Sequence, residues 1–251
     1  MQASLRISGA ILIDKPSSMT SYDVVREIKR AVPGCKIGHT GTLDPLATGL
    51  MILLMGTSTR LADRFLKLDK AYSFTVRLGQ ETDTMDSTGT IIKECDYGNV
   101  TEDALKAAAL ALRGDIEQTP PLYSAIKYKG RPLYAYARSG QEVAVTPRTV
   151  HIRDISIDSF SPPYAVLTAE VSSGTYIRSL AKSVGDDIGC GAHVTALRRL
   201  SIGGFSVRQA YRLDYAVRCL RQGPVDLVRK SVTLSPGLSA MDVEFIVLPP
   251  P

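Results

Sequence analysis

From Tyr72 to Leu78 apolar and polar residues alternate without a break. Tyr72, Phe74, Val76 and Leu78 fall on one side and Ser73, Thr75 and Arg77 on the other. A period of two predicts a strand with one buried face, and it puts Tyr72 on that face. Elsewhere the period lengthens. In "TSYDVVREIKRAVPG" Val24, Val25, Ile28, Ala31 and Val32 share a helical face, Thr20 and Asp23 have the spacing of a capping box, and Pro33-Gly34 stops the helix. Similar spacing predicts a helix near "STRLADRFLKL" and another from Glu102 to Arg113 that closes at Gly114. A further helix after "SSGT" turns Ile177, Leu180, Ala181, Val184 and Ile188 inward and stops at Gly189. Strands are predicted from Gly9 to Asp14, ended by Pro16, at Leu50, near Val150 to Ser159, and from Tyr164 to Val171. Helices interrupt these strands irregularly, with no βαβ rhythm and no internal repeat, which is the pattern of an α+β protein with a mixed sheet.

Between the first helix and the apolar run at Leu50 stands "GHTGTLDPLATG", with three glycines in twelve residues. Asp44-Pro45 is an ordinary way to begin a turn. Glycines also let backbone come close to a ligand, and a partly desolvated carboxylate beside a buried strand is usable as a nucleophile or base. The residues themselves leave both readings of Asp44 open.

The 251 residues, 27.1 kDa, suffice for one large domain or a domain with an appendage, and 44% hydrophobic residues suffice for its core. A net charge of +5 and a pI near 9.0 are too mild to identify a partner, so the placement of charge has to decide. It is concentrated between Tyr123 and Arg148: Lys127, Lys129, Arg131, Arg138 and Arg148 stand against one acid, Glu142, among Tyr123, Tyr128, Tyr134 and Tyr136. Such a stretch is either a solvated loop or a surface that tracks phosphates. Cys35, Cys95, Cys190 and Cys219 are scattered, without a C-x-x-C pair or histidines at zinc-ligand spacing, which fits reduced thiols in a cytosol. No charged-then-apolar leader is visible, and the longest apolar run, Leu50 to Met55, is far too short to span a bilayer. The expectation is a cytoplasmic protein with no membrane contact. "TDTMDSTG" has the look of a calcium loop but lacks its full ligand spacing and terminal glutamate.

"GHTGTLDPLATG" resembles the catalytic motif of the TruB family, the tRNA pseudouridine-55 synthases. "DKPSSMTS", "KAYSF", "TDTMDSTG", "QTPPLYSAIKYKGRPLYAYARSG", "SSGTYIRSLA" and "GCGAHVTALRRL" resemble further family segments, in family order, from about Ile13 to Leu200. The resemblance implies the mixed, mostly antiparallel sheet of the pseudouridine synthase fold flanked by helices. It also implies a catalytic domain over residues 1–235 with an RNA-binding insertion at about 120–150 that meets the T arm of tRNA. The implied reaction isomerises the T-loop uridine at position 55 to pseudouridine without metal or other cofactor. Asp44 is then the catalytic aspartate and Arg178 its ion partner. Tyr72 stacks on the target uracil, Tyr176 and Leu197 line the same pocket, and His39 helps hold the T loop with the base turned outward. Lys127, Lys129 and Arg138 of the insertion bind substrate, and Arg198 and Arg199 add to the same basic face. Lys15 and Pro16 are structural neighbours of the site, and Asp83 and Asp86 belong to a supporting loop.

Two departures from the family accompany this. Ser18 stands where a glycine is usual, and residues 236–251 are a short tail where many members continue into a PUA-type RNA-binding domain. The expectation is a stand-alone, monomeric enzyme on the tRNA T stem-loop with no obligate protein partner. Two rival readings are an RNA-binding protein that has lost catalysis, and a metal-dependent nuclease on Asp44, Asp83 and Asp86. Intact Asp44, Tyr72 and Arg178 argue against the first, and the wide scatter of polar ligands against the second.

Overall fold

The computed structural model describes residues 7–141, 143–222, 226–232 and 241–249. In chain order the elements are β1 (Gly9–Lys15), α1 (Ser21–Ala31), β2 (Ile37–His39), β3 (Thr48–Met55), a 3-10 turn (Gly56–Leu61), α2 (Ala62–Leu66), β4 (Lys70–Leu78), β5 (Gln80–Thr82) and β6 (Ile91–Glu94). There follow α3 (Glu102–Ala111), β7 (Gly114–Gln118), β8 (Lys127–Tyr128), β9 (Arg131–Pro132), α4 (Leu133–Arg138), β10 (Arg148–Ser161), β11 (Tyr164–Val171) and α5 (Ile177–Ile188). The chain continues with β12 (Ala192–Ile202), β13 (Phe205–Ser206), β14 (Tyr211–Arg212), α6 (Leu213–Gln222), β15 (Asp226–Val232) and β16 (Met241–Val247). Two compact units result, one from Met1–Ala71 with Arg198–Pro251, the other from Tyr72–Leu197.

In the first unit β3 runs antiparallel to β1 from Gly9↔Met55 to Lys15↔Gly49. The end of β12 lies parallel to β3 through Arg198↔Thr48 and Arg199↔Gly49. From Gly49 onward every residue of β3 is buried, as a strand covered on both faces requires. Helix α1 starts with the expected capping box, Thr20 accepting from the Asp23 N–H and Asp23 reaching back to the Thr20 backbone, and it buries Val24, Val25, Ile28 and Ala31. Phe65, Phe205 and Phe245 close the core beside β1 and β3, with the Phe205 and Phe245 rings 5.1 Å apart.

The structure refines two expectations in this unit. The helix near "STRLADRFLKL" is a 3-10 turn followed by only five helical residues. The Thr59 hydroxyl bonds the Gly56 carbonyl and no side chain caps the α-helix, so the Ser/Thr stretch satisfies its backbone locally instead of nucleating a long helix. The expected tail at 236–251 contains β16, antiparallel to β15 and parallel to β1 through Ala10↔Phe245. Burial of Val243, Phe245, Ile246 and Leu248 gives that segment a reason to pair. Residues 236–240 and the closing Pro250-Pro251 lie outside the described residues.

In the second unit the strand order is β12-β4-β11-β10-β7. Tyr72, Phe74, Val76 and Leu78 are buried as the alternation requires. β10 pairs antiparallel with β11 and, from Arg148↔Gln118 to Ile152↔Gly114, with β7. Helix α5 buries Ile177, Leu180, Ala181 and Val184 and ends at Gly189, whose φ of 86° is the left-handed conformation of a glycine cap. Helix α3 stops at Ala111, short of the expected Arg113, because Gly114 already begins β7. The stretch from 120 to 141 carries structure that its polar sequence did not announce: a β8–β9 hairpin with Tyr128↔Arg131 pairing, then α4. Among the described residues no helix is long and apolar enough to cross a membrane.

Candidate active site

The loop that carries Asp44 is pinned on both sides of that residue. Ser21, at the start of α1, donates its hydroxyl to the Leu43 carbonyl (3.0 Å) and accepts from the Leu43 N–H (2.8 Å). The Ser18 N–H donates to the Pro45 carbonyl at 2.9 Å, and the Ala47 N–H closes a turn onto the Asp44 carbonyl at 3.0 Å. Ser18 does this at φ 63°, a conformation that costs glycine nothing. Lys15, fully buried at the end of β1, donates to the carbonyls of Pro16 (2.9 Å), Pro45 (3.3 Å) and Ala47 (2.6 Å), one for each ammonium hydrogen. From β12, Arg199 donates Nε to the Leu50 carbonyl (2.7 Å) and Nη2 to the Gly41 carbonyl (3.1 Å). A sequence segment full of turn formers is thereby held by Ser21, Lys15 and Arg199, which are themselves buried.

The two neighbouring cations matter electrically. Burial lowers the Lys15 pKa to about 8, opposed by the nearby Asp44 charge and assisted by Arg199. Burial and then Arg199 also lower the pKa of His39, whose Nδ1 accepts from the Gly41 N–H at 3.3 Å. A neutral imidazole with Nδ1 as acceptor keeps Nε2–H as a donor.

Lys15 also predicts a pH effect on stability. Its folded pKa of about 8 lies below the ordinary 10.5, so between those values the unfolded chain binds the extra proton and stability rises with pH. Relative to wild type, Lys15→Met should therefore become less stable as pH climbs through that window, by up to about 3 kcal/mol at about 1.4 kcal/mol per pH unit. Urea unfolding of both proteins across the window measures the gap. A gap that stays flat contradicts a charged, buried Lys15.

In the second unit Arg178 is 3% exposed at the start of α5. It donates to the carbonyls of Thr84 and Tyr123, both at 2.8 Å, and its Nη1 lies 3.7 Å from the Asp86 carboxylate. Asp86 is also buried and accepts from the Thr84 and Thr88 hydroxyls (2.9 and 2.5 Å) and the Thr88 N–H (2.9 Å). Asp83 accepts from the Thr90 N–H at 2.8 Å, so both acids of "TDTMDSTG" brace their own loop. Among the described residues no three His, Cys, Asp or Glu side chains are gathered so as to hold a metal ion. Tyr72 and Leu197 are buried at 7% and 8% exposure, Tyr176 half-buried.

The basic stretch organises itself through cation–π contacts. Lys129 lies 5.4 Å from the Tyr128 ring centre, Arg131 5.0 Å from Tyr136, and Arg138 5.7 Å from Tyr134, while Tyr128 and Tyr136 meet edge to face. Glu142 lies outside the described residues. Arg148 is engaged elsewhere, over the Tyr176 ring at 5.0 Å. The expectation that Arg198 and Arg199 extend a basic face is corrected for Arg199. Arg199 is 1% exposed and bonded to backbone, and Arg198 forms a two-pronged pair with Asp14 at 3.0 and 2.7 Å. Strand alternation sends the two neighbours in opposite directions. Sequence reasoning also overlooked Ser21 and Gln118, which bind the backbone of residues far away in sequence; their partners leave no local signal.

A chain in the crystal structure of a Cbf5–Nop10–Gar1 complex matches this fold with a TM-score of 0.66 and 29% identity, over 84% of this chain and 54% of that one. One in an archaeal box H/ACA sRNP Nop10–Cbf5 complex matches with a TM-score of 0.64 and 27% identity, over 86% and 55%. This chain thus spans about half the length of those two and shares their architecture over that part. The family model described as TruB family pseudouridylate synthase (N terminal domain) matches residues 28–177. A Bordetella pertussis protein named tRNA pseudouridine synthase B is 45% identical over 212 residues, 84% of this chain and 87% of its own length. One of the same name from Shewanella amazonensis is 39% identical over 236 residues, 94% of this chain and 75% of its own. The chain belongs to the TruB family of pseudouridylate synthases.

Proposed function

We propose that this chain isomerises the T-loop uridine at position 55 of tRNA to pseudouridine, with Asp44 as the catalytic carboxylate. In the reaction the bond from ribose C1′ to uracil N1 breaks, the freed base turns, and C1′ bonds to C5. C5 releases its proton to solvent and N1 takes one up, so atoms and charge balance without an oxidant or reductant. The observation that carries the reading is the pinned Asp44 loop of a TruB family chain, in which Leu43, Pro45 and Ala47 are all fixed by hydrogen bonds. Fixed geometry at the reacting group is what a carboxylate needs to act on one bond of a large substrate.

Tyr72, Tyr176, Arg178 and Leu197 serve as substrate-binding groups, the tyrosine rings offering faces to an extruded base. His39, neutral and with Nε2–H available, donates to RNA. Lys127, Lys129 and Arg138 of the insertion contact the phosphates of the T stem-loop, and those contacts offset an unstacking cost of roughly a few kcal/mol. Lys15 and Pro16 support the Asp44 loop, while Asp83 and Asp86 support the loop next to Arg178. The enzyme works alone, as a monomer in the cytoplasm. A tRNA transcript tritiated at C5 of uridine, incubated with the wild type in chelator, should release one tritium per tRNA, from position 55. Bound tRNA with no release would replace this reading with that of an RNA-binding protein.

A further inference from the structure

Arg178 and Tyr176 sit on a tight turn, "SSGTYIR", that has no side-chain cap of its own. Tyr176 is the N-cap of α5 in an extended conformation, φ −97° and ψ 114°, and its side chain makes no cap hydrogen bond. Two residues from adjacent strands grip this turn instead. Gln118 ends β7, Arg148 begins β10, and the two are cross-strand partners. The Gln118 amide is 4% exposed and binds both backbone groups of Tyr176, accepting from its N–H at 2.7 Å and donating to its carbonyl at 3.0 Å. Arg148 lays its guanidinium over the Tyr176 ring at 5.0 Å and donates to the Gly174 carbonyl. The Ser179 hydroxyl adds a bond to the Thr119 carbonyl at 3.1 Å, one residue past Gln118.

We propose that Gln118 and Arg148 are positioning residues that seat the Gly174–Arg178 turn and so set the placement of Tyr176 and Arg178; this rests on the reading of those two as substrate-binding groups. The amide of Gln118 acts as a surrogate strand edge: one acceptor and one donor, side by side on one planar group, match one backbone N–H and one C=O, and asparagine, which offers the same pair, is one methylene shorter. The stacked arginine fixes the plane of the ring, which the backbone bonds cannot do. Arg148 accepts an unpartnered, buried Nε to hold this pose.

The test uses the full chain with Gln118→Leu and Gln118→Glu. Gln118→Leu keeps size and loses both bonds. Its single-turnover rate should fall roughly 10–100-fold, as for a misplacement of about 1 Å, with tRNA affinity within about threefold of wild type. Gln118→Glu lacks the donor when ionised but regains it when protonated, so its activity relative to wild type should climb as pH falls from about 8 towards about 5.5, whereas the Gln118→Leu ratio stays flat. Hydrogen exchange at the Tyr176 and Leu180 amides should quicken in Gln118→Leu. A folded Gln118→Leu with wild-type turnover, or a loss confined to affinity, overturns the proposal, as does a pH-independent Gln118→Glu ratio. If Gln118→Leu fails to fold, Gln118→Glu carries the test alone. If the wild type itself makes no pseudouridine, the functional reading has failed separately, and unchanged amide exchange is then what overturns the clamp.

Discussion

Asp44→Asn is expected to abolish tritium release while leaving the protein folded and still able to bind tRNA. The substitution exchanges one carboxylate oxygen for an amide nitrogen of nearly equal size. The anchors on Leu43, Pro45 and Ala47 come from Ser21, Ser18 and Lys15 and from backbone, and none of them uses the Asp44 carboxylate. What is lost is the ability to attack or to take a proton, since an amide is neither a useful nucleophile nor a base at neutral pH. Removing such a group lowers turnover on the order of 10⁴-fold or more. Single-turnover tritium release, a filter-binding isotherm and a thermal melt separate chemistry, affinity and folding. Removing the Asp44 charge also removes an attraction that holds the Lys15 pKa up, so Lys15 should titrate lower in this variant. Turnover within tenfold of wild type would rule out a catalytic Asp44, whatever the affinity.

Period and capping chemistry made much of this fold legible. The alternation at Tyr72–Leu78, the capping box at Thr20 and the glycine stop at Gly189 are each local, and each is realised in the structure. Where the readings failed, the deciding contacts are distant. The segment from Met241 forms a strand because β1 and β15 are there to pair with it, and the hairpin at Lys127–Pro132 is held by tyrosine–cation contacts that no periodicity encodes. The site shows the same division. A glycine-rich loop with an Asp-Pro turn drew attention to Asp44 from sequence alone, but its rigidity comes from Lys15 and Arg199, which lie 32 residues before Ala47 and 149 after Leu50. The pair Arg198-Arg199 looked like one basic patch. Counting the strand period across Ala192–Ile202 would have separated them, with Leu197 and Arg199 inward and Arg198 outward. Gln118 could not be found in that way, because its partner is 58 residues away and shares no pattern with it.

Gly49→Ala should cost more stability than any other single-methyl change in the Asp44 loop. Gly49 has φ +103°, where an L side chain is strained, and it faces Arg199 in the parallel β3–β12 pairing. A Cβ there would stand 2.7 Å from the Arg199 nitrogen and 3.0 Å from its carbonyl carbon, and closer still to the carbonyl oxygen. These are backbone atoms, which cannot rotate out of the way as a side-chain tip can. The Arg199 side chain is tied to the Leu50 and Gly41 carbonyls, so moving its backbone also pulls on the loop. Across β3 the partner of Gly49 is Lys15, whose three carbonyl bonds span the same loop. Backbone strain of about 1–3 kcal/mol and overpacking of about 1–3 kcal/mol together predict a loss of roughly 2–6 kcal/mol. That is a large part of the roughly 5–15 kcal/mol that holds a typical domain folded. Gly38→Ala is the internal control: a Cβ at Gly38 meets nothing within 4 Å and its φ is not left-handed, so it should change stability by no more than about 0.5 kcal/mol. Urea unfolding midpoints of the two variants decide the matter. Equal, small losses would mean that β12 yields easily beside Gly49, and that the Asp44 loop is less tightly built than its hydrogen bonds imply.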